Sequence, residues 1–420
     1  MLTRLPYTLL WLLALPLVLL RLLWRSRRQP AYLRHLGERF GRYRDANPGG
    51  DVVWVHAVSV GETRAAEPLV HALLARWPDR RILLTHMTPT GRETSRALFG
   101  DEPRVLRAYL PYDIGFVARR FLRHFRPAFG VIMETELWPN LLAACRAEGV
   151  PVLLANARLS ERSARRYARW PALTRLTLGA LSAIGCQSVA DGERLTALGA
   201  RRVAVTGNIK FDIAPAAAQL VLGARFRERF GARPVMLAAS TREGEEAPIL
   251  DAFATQAPPD TLLVLVPRHP QRFDEVAALV AARGLALQRR SDDTAVAPDA
   301  RVWLGDSMGE MFAYYAAADV ALIGGSWLPF GGQNLIEACA VGTPVVVGLH
   351  TFNFAAIADH AVAAGAAIRA ADVGAGIDAA LALLADAPRR EATGAAGRRF
   401  AAEHRGATER TMAIIEQLRG

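Results

Sequence analysis

The sequence predicts an α/β protein: two Rossmann-like domains facing each other across a cleft, with an N-terminal membrane anchor helix. Three observations carry this. Short apolar runs alternate with helix-patterned segments along most of the chain, the order of a parallel, doubly wound sheet. That series occurs twice, with a mixed, charged stretch between its two halves. A separate block at the start, residues 5–20, contains no charge, and its apolar character continues past Arg21 to Trp24.

The N-terminal block is long enough to cross a bilayer, since about twenty residues rising ~1.5 Å each reach across the hydrocarbon core. A cleaved signal peptide is the rival. Only Arg4 precedes the apolar run, however, and the sequence after it is WRSRRQP, with no small-x-small cleavage site. Residues 1–24 are therefore expected as an uncleaved membrane anchor and 25–50 as a basic linker. Arg21, Arg25, Arg27 and Arg28 follow the apolar run, so the positive-inside bias puts the rest of the chain on the cytoplasmic face. Pro6 and Pro16 also permit a shallower, interfacial pose.

The first domain is expected over 51–213. VVWVHA (52–57) reads as a buried strand, and Leu69, Val70, Leu73 and Leu74 then share one helical face. RILLTHM, FGVIME and VPVLLAN repeat the short apolar run, and 182–189 and 202–207 continue it. Residues 214–233 read as an interdomain connection. The second domain, 234–420, opens with PVMLAAS and runs through TLLVLVPRHP, VWLGD, VALIGGS and TPVVVG. The helical stretch 377–420 closes the chain, and its last helix fits against either domain.

Composition narrows the function classes. Among 420 residues, 51% are hydrophobic and 22% charged, which is globular and not disordered. Cys145, Cys186 and Cys339 are far apart and the nine histidines are scattered, so neither a disulfide framework nor a metal site is expected. The net charge of +11 calls for an anionic partner. With no Cys/His finger, RNP-like motif or basic tail, nucleic acid is not that partner. An anionic membrane surface or a phosphorylated substrate is. Lys210 is the single lysine against 50 arginines, which draws attention to the place where arginine was not used.

The chemistry-bearing residues cluster at strand ends, where sheets of this kind bind ligands. In His56-Ala-Val-Ser-Val-Gly-Glu62, Gly61 lets the chain turn, and Glu62 is placed to take a proton from a hydroxyl. Ser59 and Glu62 equally fit a capping box, and the spacing leaves both open. Pro68 argues against a regular helix running on from Val60. Glu134 and Glu136 follow the FGVI strand, where carboxylates are costly unless solvated or employed. Lys210, in GNIKFD, offers three donors to phosphate or carboxylate oxygens. Arg268 and His269 end a strand in VPRHP, with Arg268 suited to a bidentate phosphate contact. Met308, Gly309 and Glu310 open a helix expected over 311–318, and an ordinary N-cap explains that segment equally well. The glycine loop 324–333 leads through Asn334, Leu335, Ile336 and Glu337 into a helix whose amino end attracts anions. Glu337, expected one turn into that helix, is suited to ribose hydroxyls.

Taken together, HAVSVGE, METELWPN, GNIKFD, VPRHP, GDSMGE, GGQNLIEACAVGTPVVVG and the HTFNF segment at 350–354 resemble the 3-deoxy-D-manno-octulosonic acid (Kdo) transferase family. The likeness spans nearly the whole chain. It implies the GT-B architecture and inverting transfer of Kdo from CMP-Kdo to the lipid A precursor, lipid IVA, at the inner membrane. It implies Glu62 as general base, with Glu134 and Lys210 stabilising the transition state. Arg268, His269, Met308 to Glu310 and Asn334 to Glu337 would contact CMP. No metal and no cofactor are implied. Near a helix amino end, Glu62 is expected to be ionised. A UDP-sugar transferase, a nucleotide-sugar epimerase and a non-catalytic lipid-binding protein are the competing readings.

Overall fold

The computed structural model describes residues 2–27, 29–44, 51–212 and 214–419. Arg28 and positions 45–50 of the expected linker lie outside the described residues. The chain forms two compact units, one of residues 1–212 with 405–420, the other of residues 213–404.

The first unit holds a seven-stranded sheet: β1 (Val52–His56), β2 (Arg81–His86), β3 (Val105–Tyr109), β4 (Pro127–Met133), β5 (Val152–Ala157), β6 (Ala183–Cys186) and β7 (Val203–Val205). All pairs are parallel, in the order β3-β2-β1-β4-β5-β6-β7. Helices cover both faces, which is why these strands are continuous apolar runs with no alternation. Trp54 of β1 is fully buried and sits opposite Gly130 of β4. A side chain at 130 would collide with the Trp54 ring, so glycine makes the room. The indole N–H donates to the Thr85 hydroxyl at 2.7 Å.

The second unit repeats the plan with β8 (Val235–Thr241), β9 (Leu262–Pro267), β10 (Leu287–Arg289), β11 (Val302–Leu304), β12 (Val320–Ile323), β13 (Val345–Val347) and β14 (Ala367–Arg369). Their order is β10-β11-β9-β8-β12-β13-β14, again all parallel. In each sheet the strand order reverses beside the first strand, between β1 and β4 and between β8 and β12. In doubly wound sheets such a reversal is where ligands bind, beyond the strands' carboxyl ends.

Two segments, 214–233 and the basic linker, differ from their sequence reading, and the closing stretch takes one of the two packings expected for it. Residues 214–233 are more than a connection: the helix Ala217–Phe230 belongs to the second unit. Its Gly223 packs so closely on the helix Met311–Ala317 that a side chain there would stand 2.9 Å from the Ala313 carbonyl oxygen. Phe226 and Phe230 close on Trp303 at 5.1 and 4.9 Å between ring centroids. The basic linker is also packed, because Arg39 is buried with its guanidinium 4.2 Å from the centre of the Tyr109 ring. Neighbouring Glu38 accepts hydrogen bonds from Arg92 and from the Tyr109 amide, each at 2.7 Å. The closing stretch comprises three helices, Val373–Ala385, Ala387–Glu403 and Ala407–Arg419. The third returns to the first unit, where Ala407, Met412 and Ile415 are buried with Leu69 and Leu73. The Asp212 carboxylate receives the Gly406 and Thr408 amides and so caps its start.

The apolar N-terminal block is one helix, Leu5–Ser26, and lies against the first unit. Trp11, Leu15 and Val18, on one face, pack on Tyr112, Ile114 and Val117. Leu9, Leu13, Leu17 and Leu20 are exposed on the other. Near its start Thr8 hydrogen-bonds Asn140 at 3.1 Å, and Asn140 in turn donates to the Asp113 carbonyl at 2.9 Å.

Candidate active site

In the first unit Glu62 follows β1 and Glu134 follows β4, on either side of the point where the strand order reverses, and Lys210 joins Glu134 from beyond β7. The chain leaves β1 at His56, turns, and enters the short helix Val60–Ala65 with Ser59 as its N-cap. One Glu62 carboxylate oxygen accepts the Val58 amide at 2.7 Å and the other accepts the Ser59 hydroxyl at 3.1 Å. This is not the reciprocal capping box, because Ser59 makes no side-chain bond to the helix and donates to the carboxylate instead. A new helix, Glu67–Arg76, starts with Pro68 in its first turn, where a missing amide costs nothing.

Glu134 ends β4 in the left-handed region, φ 57°, with its amide bonded to the Ala155 carbonyl at 2.9 Å. A non-glycine residue held there stores about 1–2 kcal/mol of strain. The turn aims its carboxylate at Lys210, whose Nζ is 3.5 Å away. Lys210 is brought from beyond β7 by Asn156 at the end of β5, whose side-chain carbonyl accepts the Ile209 amide at 3.1 Å.

Burial pushes the Glu62 carboxyl up to about 7; the Val58 amide opposes this, and the charges of Glu134 and Glu136 add to it. The expectation of a fully ionised carboxylate is thereby corrected: desolvation outweighs the helix end. Burial, then the charge of Glu134, also raises the Glu136 carboxyl. Glu136 is a member of the acidic cluster that the sequence reading noted but did not assign. His56, first in the motif, is fully buried, its Nδ1 2.9 Å from the Thr85 hydroxyl. Burial holds it down to about 3, so it stays neutral and braces the sheet.

In the second unit the residues expected to hold CMP stand at the carboxyl ends of β9, β11 and β12. Arg268 and His269 follow β9, with the Arg268 amide bonded to Thr241 of β8 at 2.9 Å. Burial lowers the His269 pKa, and the positive charges of Arg242, Arg268 and Arg272 lower it further. After β11, Met308 is exposed and Gly309 adopts φ 81°. Glu310 is gripped by two Arg290 nitrogens at 3.1 Å and by the Ser307 hydroxyl at 2.5 Å. After β12, Gly325, Gly331 and Gly332 all have positive φ. Asn353 of the HTFNF segment clasps this loop through the Gly331 and Phe330 carbonyls, at 2.9 and 3.0 Å.

Asn334 then accepts the Ile336 amide at 3.1 Å and donates to Glu337 at 3.0 Å. Glu337 is the second residue of the helix Ile336–Val341, not one turn in, and Leu335 precedes that helix as its N-cap. The first amide of the helix is already taken by Asn334.

The sequence reading missed Glu245. It is fully buried and accepts the amides of Gly325, Trp327 and Arg242 at 2.7, 3.0 and 2.8 Å. It thus nails the glycine loop to the end of β8. Glu246 beside it is equally buried and pairs with Arg272 at 2.5 Å. The adjacent carboxylates at 245–246, just past a strand end and entering an apolar helix, were the available signal.

Two doubly wound parallel units and one apolar N-terminal helix define a protein of the GT-B class. The UDP-GlcNAc 2-epimerase of Neisseria meningitidis, solved bound to UDP-GlcNAc, shares this fold with a TM-score of 0.58 at 16% identity, over 88% of this chain and 99% of that one. The family model described as 3-Deoxy-D-manno-octulosonic-acid transferase (kdotransferase) matches residues 34–213. The chain is 50% identical to the 3-deoxy-D-manno-octulosonic acid transferase of Bordetella pertussis over 91% of both chains. It is 38% identical to that of Haemophilus influenzae over 98% of both. The chain belongs to the Kdo transferase family and is a glycosyltransferase.

Proposed function

We propose that this Kdo transferase takes Kdo from CMP-Kdo and attaches it, with inversion, to a lipid A precursor at the cytoplasmic face of the inner membrane. The first unit binds the acceptor and the second unit binds the donor. The observation that carries this reading is Glu62, held just past β1 by the Val58 amide and the Ser59 hydroxyl, with the Glu134–Lys210 pair past β4 and burial pushing its carboxyl up to about 7. A group titrating near the working pH is both sufficiently deprotonated and sufficiently basic. It removes the proton from an acceptor glucosamine hydroxyl, whose oxygen attacks the anomeric carbon of Kdo as the bond to CMP breaks. CMP leaves with the electron pair of that bond.

Lys210, steered by Glu134, supplies positive charge toward the carboxylate of Kdo, while the Glu134 carboxylate offsets the positive charge developing at the anomeric carbon. Arg268 and His269 meet the CMP phosphate, and the Glu337 carboxylate, oriented by Asn334, accepts from the ribose hydroxyls. Met308 and Gly309 lie along the base. Glu310, through its pairing with Arg290, shapes that wall. The test is incubation with CMP-Kdo and a tetraacylated glucosamine disaccharide bisphosphate, with product masses read directly. Absence of a Kdo-sized mass increment, or an equal increment from the Glu62→Gln protein at the wild-type rate, defeats the reading.

A further inference from the structure

The N-terminal helix does more than present a leucine face. A groove of about 530 Å³ runs between its first turns and the stretch that carries Trp170. Its walls are apolar, built from Pro6, Leu10, Leu137, Trp170 and Leu173, and two arginines, Arg166 and Arg169, stand along it. Leu10 and Trp170 are 66% and 69% exposed, so large apolar surface faces water here. The helix is fixed at this distance by buried polar bonds, Thr8 to Asn140 and Asn140 to Asp113, so the groove does not close by collapse.

We infer that this groove holds an acyl chain of the lipid acceptor, with Arg166 and Arg169 meeting its phosphate. This rests on the acceptor reading proposed above. The groove is continuous with the exposed leucine face of the same helix, which is where a lipid's chains reside. Guanidinium groups beside an apolar channel complement an anionic head on an apolar tail, and a soluble sugar would not use that channel. Leu137, part of the groove wall, belongs to the loop that carries Glu134 and Glu136, and Pro139, also in the wall, opens the helix that follows it. A chain lying in the groove therefore brings its sugar toward the acidic cluster. The occupant is the acceptor's own chain, as opposed to a bulk phospholipid's.

The test uses the full-length protein in mixed micelles with two acceptors, tetraacylated and fully deacylated glucosamine disaccharide bisphosphate. Leu173→Trp fills the groove. KM for the tetraacylated acceptor should then rise about tenfold with kcat nearly constant, the sign of lost ground-state binding, while the deacylated acceptor is little affected. An equal change for both acceptors, or none, overturns the inference. A second readout needs no turnover: a tetraacylated acceptor with a photoreactive group on one chain is crosslinked and the adducts mapped. Adducts on residues 6–10 or 170–177, reduced by Leu173→Trp, support it; adducts only elsewhere, or full competition by phospholipid, overturn it. Wild-type protein that transfers Kdo to neither acceptor instead refutes the functional reading.

Discussion

Lys210 places its ammonium 3.5 Å from the carboxylate of Glu134, although the two are 76 positions apart, about a third of the first unit. The single lysine is thus set against the one carboxylate that ends a strand in a left-handed turn. Replacing Glu134 by Gln removes a charge that raises the Glu62 pKa. The acid limb of the kcat/KM–pH profile should then shift to lower pH. A limb that moves up or stays put counts against electrostatic coupling of the two carboxyls.

Glu62 itself sets the main pH dependence. A base must be deprotonated, so kcat/KM should climb as pH rises through about 7 and level off above it. Glu62→Gln should lose about a hundredfold or more in kcat, the usual worth of a positioned base, and lose that limb as well.

The same substitution should alter stability in a pH-dependent way. Glu62 is raised above an unfolded value of 4.5, so the folded state binds the extra proton between about 4.5 and 7 and loses relative stability as pH rises across that window. Glutamine imitates the protonated form. The Tm of Glu62→Gln should match wild type near pH 5 and exceed it by a few degrees at pH 8. A Tm difference independent of pH would contradict the burial argument.

Glu245 should be the most sensitive residue of the second unit outside its apolar core. Glu245→Ala strands buried amides at Arg242, Gly325 and Trp327. Each unpartnered group costs about 1–3 kcal/mol, so a loss of about 3 kcal/mol or more is expected in urea unfolding. CMP affinity, followed by calorimetry, should fall with it because the glycine loop loses its tether.

Gly324→Ala tests the close approach of β12 to β8. A methyl group there would meet Thr241 Cα at 2.7 Å, and backbone cannot rotate aside. Overpacking of this kind costs about 1–3 kcal/mol. Gly231→Ala, where a side chain meets open space, tests the backbone alone: φ 69° with ψ −148° is a conformation essentially restricted to glycine, so a loss of about 1–3 kcal/mol is expected there with no steric contact.

Much of this was legible in the sequence because parallel sheets bury both faces, and VVWVH and LLVLVP cannot be read as half-exposed strands. The loops were legible for a related reason: polar residues and glycines concentrate where such strands stop. What stayed hidden depended on three-dimensional neighbours. The helix Ala217–Phe230 contacts its partner through Gly223, a residue that leaves no apolar signature. The protonation of Glu62 follows from desolvation, which spacing does not encode. Glu245 looks like any surface glutamate until the loop 80 residues later folds over it.

The last helix imposes an order on biosynthesis. Asp212 and its bonded partner Gly406 are 194 positions apart, and everything between them is the other unit. While a ribosome is still translating that insert, the first unit has an open seam where Met412 and Ile415 will later lodge. It therefore completes its interior only after the helix Ala407–Arg419 has emerged. A nonsense codon just before Ala407 would leave a finished second unit attached to a first unit with a missing wall.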